Sequence, residues 1–113
     1  GANPAHTIKA INEAEAYPGP SLSIGYAPCE MHSIKKGGMT NCQGEMKRAV
    51  DCGYWNLFRY DPSADKPFAL DSQEPAGGYR HFLTNEARYD RPPNEFPDRA
   101  QELFALRSNK GQR

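Results

Sequence analysis

The chain of 113 residues lacks an excess of either charge and lacks any long apolar run. Its 14 basic and 14 acidic residues balance, so it has no net field to attract nucleic acid or an anionic membrane. No apolar run approaches the roughly 20 residues that a membrane-spanning helix needs. The first residues show no signal-peptide pattern. We therefore expect neither a nucleic acid nor a membrane as a partner.

Cysteine is scarce and unpaired. Cys29, Cys42 and Cys52 form no C-x-x-C pair, so the zinc-ribbon and thioredoxin signatures are missing. An odd, widely spaced set without a secretory signal indicates a reducing compartment, and we expect the cytoplasm. Cys42 and Cys52 are typical of small buried side chains. The start at Gly1, without an initiator Met, suits a processed product or an excised fragment.

Residues 1–70 predict an alternation of helices and strands. Asn3 before Pro4 is typical of a helix start, and the Pro18-Gly19-Pro20 cluster must end that helix. Ser21–Ala27 is small and apolar, as in a strand covered on both faces. Cys29 follows at the carboxyl end of this strand, where open α/β sheets place their ligands.

A helix and a second strand follow in the same half. Asn41 is a candidate cap for a helix that runs to about Cys52, with Gly53 as its stop, and Tyr54–Tyr60 alternates like a strand. Strand, helix and strand in this order predict a right-handed βαβ unit with parallel strands. The expected inner face of the helix is Met46, Ala49 and Val50, and the expected outer face includes Glu45 and Lys47.

Residues 71–113 predict a helical extension. Before it, the segment from Pro67 to Leu70 is a candidate edge strand, where proline is tolerated. Tyr79–Tyr89 predicts one helix and Asp98–Ser108 another, with a proline-rich link over 91–97. We therefore divide the chain into an α/β part, 1–70, and a helical part, 71–113.

Cys29 is the main candidate for chemistry, because a thiolate is the usual protein ligand of iron–sulfur clusters. His32 lies three residues further on, and a Cys-x-x-His pair can serve zinc or iron. Two ligands would still be missing, so a solvated loop histidine is the favoured interpretation. Lys35–Gly38 lacks the spacing of a phosphate-binding loop. The scattered carboxylates are predicted on helix surfaces, which argues against a catalytic pair: Glu13, Glu15, Glu86 and Glu95.

Several motifs in one order resemble a known family. They are AEAYPGPSLSIGYAPC (14–29), EMKRAVDCGYWNLFRYDP (45–62), PFALDSQEP, FLTNEARY and FPDRAQELF. Together they resemble the C-terminal segment of the pyruvate:ferredoxin (flavodoxin) oxidoreductases. The fold implied by this resemblance is the last βαβ portion of a thiamine-diphosphate-binding domain followed by a C-terminal helical extension.

The resemblance also implies a function. Such enzymes convert pyruvate and coenzyme A to acetyl-CoA and CO2, pass electrons to ferredoxin or flavodoxin, and use thiamine diphosphate with Mg²⁺ and 4Fe–4S clusters. It makes Cys29 the fourth ligand of the cluster nearest the thiamine diphosphate, and it gives this chain no catalytic residue. The partners implied are the remainder of a homo-oligomeric parent enzyme, and the chain alone should be inactive and hold no cofactor. The family usually carries Ile-Asn-His-Gly where this chain reads Glu30-Met31-His32-Ser33.

Two other classes of function stay open on the residues alone. One is a small non-enzymatic α/β module that binds a protein partner through its aromatic strand and terminal helices. The other is a small redox or metal protein built on Cys29 and His32. The length of the parent open reading frame separates the enzyme from the module, and metal in the purified chain would favour the third class.

Overall fold

The computed structural model describes the backbone of residues 1–110 and the side chains of residues 1–90 and 93–106. Within that part of the chain there are five α-helices and one small antiparallel sheet, a mixture compatible with the predicted α/β class. The elements are α1 (Pro4–Ala16), α2 (Cys42–Asp51), β1 (Phe58–Tyr60), β2 (Phe68–Leu70), α3 (Tyr79–Asn85), α4 (Ala87–Glu95) and α5 (Pro97–Lys110), with a 3₁₀ turn at Gly38–Asn41 before α2.

Helix α1 begins and ends where its sequence predicts. The Asn3 side chain accepts a hydrogen bond from the His6 backbone N–H at 3.1 Å, and Pro4 occupies the first helical position. Such a cap satisfies one of the backbone donors that a helix start leaves unpaired. The helix ends at Tyr17, whose backbone is extended as the following proline requires.

Strands β1 and β2 form an antiparallel hairpin, paired Phe58 to Leu70, Arg59 to Ala69 and Tyr60 to Phe68. The edge strand predicted near Pro67 is confirmed as β2. Because side chains alternate along a strand, Arg59 and Ala69 share one face of the hairpin, and Arg59 reaches Glu13 of α1. The opposite side, which we call the aromatic hairpin face, is exposed and consists of Phe58, Tyr60, Phe68 and Leu70.

The strand predicted at Ser21–Ala27 is wrong for this structure. That segment has no strand assignment, and the exposed fractions of Leu22 and Ile24 are 83% and 65%. The strand predicted over Tyr54–Tyr60 is shortened to β1, whose partner is antiparallel. The parallel βαβ unit is therefore absent from residues 1–110. A strand of this kind needs neighbouring strands and covered faces, which the described residues do not supply.

Helix α2 buries Ala49 and exposes Lys47 as predicted, and it departs from the prediction at Glu45. Ala49 is fully buried and Lys47 is exposed, as expected, but Glu45 is also fully buried. Its carboxylate is directed at α3, where Asn85 donates to it, so a side chain expected in water is inside. Gly53 ends the helix with φ of 77°, a left-handed conformation that glycine adopts without a steric penalty.

The helical extension is present but is divided differently from its prediction. The single helix predicted at Tyr79–Tyr89 is wrong, because Glu86 has an extended backbone that separates α3 from α4. The predicted link over 91–97 is also wrong: α4 continues through Glu95 and α5 begins at Pro97. Packing of these helices buries Phe82, Leu83 and Ala100 and overrides local preference. Residues 111–113 of the predicted extension lie outside the described residues.

The hydrophobic core is small and lies between α2 and α3. It joins Ala49 and Cys52 of the α2 end to Phe82 and Leu83 of α3, and aromatic rings pack around it. The closest of these ring contacts is Tyr54 on Phe82, with centroids 4.8 Å apart. The radius of gyration is 16.4 Å, whereas a compact domain of this length has about 13 Å. Much of the chain therefore lies outside this core.

Candidate functional site

Cys29 lies on a tight turn between the extended segment 20–28 and the loop that leads to α2. The Ser33 backbone N–H donates to the Cys29 carbonyl at 2.8 Å and closes the turn. Ser33 has φ of 62°, a left-handed conformation that is uncommon for residues other than glycine. The turn therefore has a specific shape, and it presents a half-buried cysteine.

The sequence-predicted pair Cys29 and His32 is brought together on this turn. Nδ1 of His32 lies 3.0 Å from Sγ of Cys29. Hydrogen bonds from His32, first through its side chain and then through its backbone, lower the pKa of the Cys29 thiol. A lower pKa favours the thiolate, which is the form that ligates metals and attacks electrophiles.

Cys42 and Cys52 lie elsewhere. Cys42 is the first residue of α2, and Cys52 is buried in the core, where burial raises the pKa of its thiol. The described residues contain no group of three or more side chains able to hold a metal ion. A 4Fe–4S cluster takes four thiolates. This donor set fits the role of one ligand and does not fit a complete cluster site, nor a zinc site built on Cys29 and His32 alone.

Glu86 contacts the chain on both sides of the Cys29 turn. Its side-chain Oε1 accepts from the Tyr26 hydroxyl at 2.9 Å, three residues before Cys29. Its backbone forms an antiparallel bridge with Ile34, five residues after Cys29, and Ile34 is buried. Glu86 is only 1% exposed, and Arg88 donates to its other oxygen at 3.1 Å. Glu86 thus links both limbs of the turn, the upstream limb through its carboxylate and the downstream limb through its backbone.

Tyr26 connects the upstream limb to the core. Its ring packs against Tyr54 and Trp55 at centroid distances of 5.6 and 5.8 Å. Burial, and secondly the hydrogen bond to Glu86, raise the pKa of the Tyr26 hydroxyl. The hydroxyl therefore stays protonated and acts as the donor to Glu86.

Asn85 and Glu45 fix the loop after the turn. The Lys35 backbone N–H donates to the Asn85 carbonyl at 2.9 Å, and the Lys36 N–H donates to the Asn85 side chain at 3.2 Å. The Asn85 amide in turn donates to Oε2 of Glu45 at 2.9 Å, where Arg48 also binds. Oε1 of Glu45 is buried without a hydrogen-bond partner among the described residues.

Sequence reasoning missed these supporting residues. Glu45 occupies a position that helical periodicity places in water, and Glu86 falls inside what periodicity predicts as one continuous helix. Neither the spacing nor the composition of the chain signals that both carboxylates are buried. A break in the helix at Glu86 is the feature that would have drawn attention to it, and only the packing of α3 against α4 creates that break.

A second polar cluster joins α1 to the hairpin. Arg59 donates to Asp71 through Nε at 2.6 Å and Nη2 at 2.8 Å, and to both oxygens of Glu13. His6 Nε2 lies 3.0 Å from Asp71. The hydrogen bonds from Arg59, and then that with His6, lower the pKa of Asp71 to about 2. These groups satisfy one another, so the cluster serves to hold elements together.

Among residues 1–110, no helix has the length and apolar character that crossing a bilayer requires. No protein-family model matches the chain.

Curated proteins match the chain over nearly its whole length. It is 46% identical over 109 residues to the pyruvate:ferredoxin oxidoreductase of Moorella thermoacetica and 48% identical over 109 residues to the pyruvate-flavodoxin oxidoreductase of Klebsiella pneumoniae. Each match covers 93% of this chain and 9% of the relative. The mitochondrial pyruvate dehydrogenase [NADP(+)] of Euglena gracilis is 42% identical over 91 residues, which cover 77% of this chain and 5% of the relative. By sequence, the chain therefore belongs to the pyruvate:ferredoxin (flavodoxin) oxidoreductase family, of whose members it matches one short segment.

Proposed function

We propose that the chain is the C-terminal part of an enzyme that converts pyruvate and coenzyme A to acetyl-CoA and CO2 and passes electrons to ferredoxin or flavodoxin. The identity of 46–48% over 93% of the chain supports this proposal. Thiamine diphosphate, when bound with Mg²⁺ in the parent enzyme, supplies the stabilisation of the carbanion that decarboxylation forms. Residues 1–113 contribute structure and one ligand to that enzyme.

Within the parent enzyme, Cys29 is the fourth thiolate of the 4Fe–4S cluster nearest the thiamine diphosphate. The observation that carries this assignment is the Cys29 turn itself. It presents a thiol whose pKa is lowered, on a loop held from both sides by Glu86. The thiolate is the form that ligates metals, and the turn holds the Cys29 thiol in place from both sides.

The rest of the parent enzyme covers the surfaces that this chain leaves exposed. Leu22 and Ile24 project into solvent in an extended segment without a partner strand. In the parent, residues 21–27 join the sheet of the thiamine-diphosphate-binding domain as one of its strands. The neighbouring strands come from the remainder of that polypeptide, which forms a homo-oligomer in the cytoplasm. The three free cysteines are consistent with that compartment.

The three cysteines of the full-length enzyme provide the test of this function. We expect Cys29→Ala to lower the iron content by one cluster and to remove one 4Fe–4S signal from the electron paramagnetic resonance spectrum. Cys42→Ala and Cys52→Ala are the matched controls, because they remove thiols at the start of α2 and in the core. Unchanged iron in the Cys29 variant would refute the assignment.

The isolated chain provides a second test. One thiolate cannot hold a cluster that takes four, so anaerobic reconstitution with iron and sulfide should leave no stable cluster and no pyruvate oxidation. A stoichiometric cluster that depends on Cys29 would contradict this proposal. It would favour a small redox or metal protein built on Cys29 and His32.

A further inference from the structure

The Cys29 turn is anchored at two points that converge on one residue. Upstream, the Tyr26 hydroxyl donates to the Glu86 carboxylate at 2.9 Å. Downstream, the Ile34 backbone bridges the Glu86 backbone, and the Ala87 N–H contacts the Ser33 carbonyl at 3.4 Å. The eight residues from Tyr26 to Ser33 therefore form a loop whose two ends are fixed at the junction of α3 and α4.

Burial of the Glu86 carboxylate between α3 and α4 costs free energy, so it requires compensating contacts. Glu86 is 1% exposed, and a buried charge is tolerated when it is paired and hydrogen-bonded. Arg88 and Tyr26 supply those contacts, one to each oxygen. The Tyr26 hydroxyl is thus bound to a charged acceptor, and such hydrogen bonds are stronger than those between neutral groups.

We propose that Glu86 and Tyr26 are positioning residues for Cys29, which set the place of its sulfur relative to the cluster. This proposal rests on the proposed function of Cys29 as a cluster ligand. Neither residue touches the sulfur. They act by closing the loop that carries Cys29, through the contacts of Glu86 with Tyr26 upstream and Ile34 downstream. Helical periodicity does not predict this role, because it places Glu86 on a helix surface.

The test uses the full-length enzyme and three substitutions at the anchor. Tyr26→Phe removes the hydroxyl and keeps the ring in the core. Glu86→Ala removes the acceptor, and Glu86→Gln keeps a side-chain oxygen that can still accept from Tyr26. The matched controls are Tyr60→Phe, at an exposed tyrosine of the hairpin, and Glu102→Gln, in an exposed pair with Arg99 on α5. Cys29→Ala first identifies which cluster signal belongs to Cys29.

The measurements are the midpoint potential and line shape of that signal, and the rate at which an iron chelator removes it. We expect Tyr26→Phe and Glu86→Ala to shift the potential and broaden the signal. The chelator should remove the cluster about tenfold faster, the factor that corresponds to ~1.4 kcal/mol. Loss of a hydrogen bond to a charged group predicts an effect of this size. Glu86→Gln should restore much of the wild-type behaviour in an otherwise folded enzyme. The double variant Tyr26→Phe/Glu86→Ala should be no worse than Glu86→Ala alone, because Glu86→Ala already removes the contact with Tyr26.

Two negative outcomes are distinguishable. If Cys29→Ala removes no signal, the ligand assignment fails and the positioning role fails with it. If Cys29→Ala removes a signal, while Tyr26→Phe and Glu86→Ala leave its potential, line shape and chelator resistance as in the controls, only the positioning role is overturned. Additive effects in the double variant would also overturn it, since Tyr26 and Glu86 would then act separately.

Discussion

Two regions of the molecule bury their apolar side chains very differently. The inner region consists of α2, α3 and the loop from Cys29 to Asn41, and Ile34, Ala49 and Phe82 are at most 2% exposed there. The outer region consists of α1, residues 17–25 and the β1–β2 hairpin. In the outer region Leu22 and Ile24 are mostly exposed, and so is the aromatic hairpin face. The inner region completes its packing within this chain, whereas the outer region does not.

Polar contacts hold the outer region in place instead of a core. Arg59 links α1 to the hairpin through Glu13 and Asp71, and no residue of α1 is buried. The accessible surface of the chain is 8567 Å², whereas a compact protein of its mass exposes about 6,200 Å². Large exposed apolar patches mark surfaces that contact other protein. The outer region therefore leaves most of its apolar side chains exposed, and polar contacts rather than a core determine its arrangement.

The strongest test of this comparison removes one phenylalanine from each region. Phe82→Ala deletes a ring that is 1% exposed and should lower the free energy of unfolding by about 3–5 kcal/mol. Phe68→Ala, at a ring that is 59% exposed, should cost less than about 1 kcal/mol. Urea denaturation of the isolated chain measures both. Equal losses would remove the distinction between the two regions.

Self-association of the isolated chain should come from the outer region. Phe58 and Phe68 stack with ring centroids 5.9 Å apart and are about half exposed. Replacing both by Ser should weaken association by about 2 kcal/mol, or about 30-fold in dissociation constant. Sedimentation velocity across a concentration series measures the effect.

Phe96→Ser is the matched control for the hairpin variant, because Phe96 is exposed between α4 and α5. An equal effect of Phe96→Ser would show that the hairpin is not the association surface. A wild-type chain that stays monomeric at every concentration would show that the helical extension covers the apolar surfaces sufficiently.

The polar cluster that joins α1 to the hairpin predicts a smaller effect on stability. Asp71→Asn removes the carboxylate that accepts from Arg59 and contacts His6. The free energy of unfolding should fall by only about 1 kcal/mol, because the carboxylate is partly solvated. Amide hydrogen exchange should become faster in α1 and stay unchanged in α3. Asp51→Asn is the control, since Asp51 makes a single exposed pair with Lys47. Loss of protection in α3 as well would mean that the two regions unfold together.

The smallest expected effect is the pH dependence of the stabilisation that Asp71 contributes to this polar cluster. The pKa of Asp71 is about 2 in the folded chain because Arg59 binds the carboxylate, whereas an unfolded chain gives about 3.9. The stabilisation is therefore complete above about pH 5 and is lost as the pH falls through about 2. The difference in unfolding free energy between wild type and Asp71→Asn should shrink steadily from pH 5 to pH 2. A difference that is constant over this range would exclude the ionised carboxylate as its cause.

Local signals in the sequence predicted the ends of several elements. The cap at Asn3, the stop at Tyr17, the end of α2 at Gly53 and the edge strand β2 all depend on residues within a few positions, and each is confirmed. The family was recognisable because five motifs occur in one order, and the curated relatives confirm it.

Two predictions that depend on contacts between distant residues were wrong. Ser21–Ala27 reads as a buried strand, but a strand forms only where a neighbour supplies backbone partners, and residues 1–110 supply none to it. Glu45 is predicted on the surface because helical periodicity describes the faces of one helix and contains no information about its neighbours. Its burial depends on Asn85, 40 positions away, which no local pattern reveals.

Residue type and short spacing were enough to predict the family, the cap of α1 and the ends of α1 and α2. The burial of Glu45 and Glu86, the separation of α3 from α4 at Glu86 and the anchoring of the Cys29 turn at that break are visible only in the folded structure. The physical reason is that a buried carboxylate must be paired and hydrogen-bonded, and the neighbouring arginines supply only part of those contacts. The remaining donors, Tyr26 and Asn85, come from distant positions and reach their carboxylates only in the folded chain.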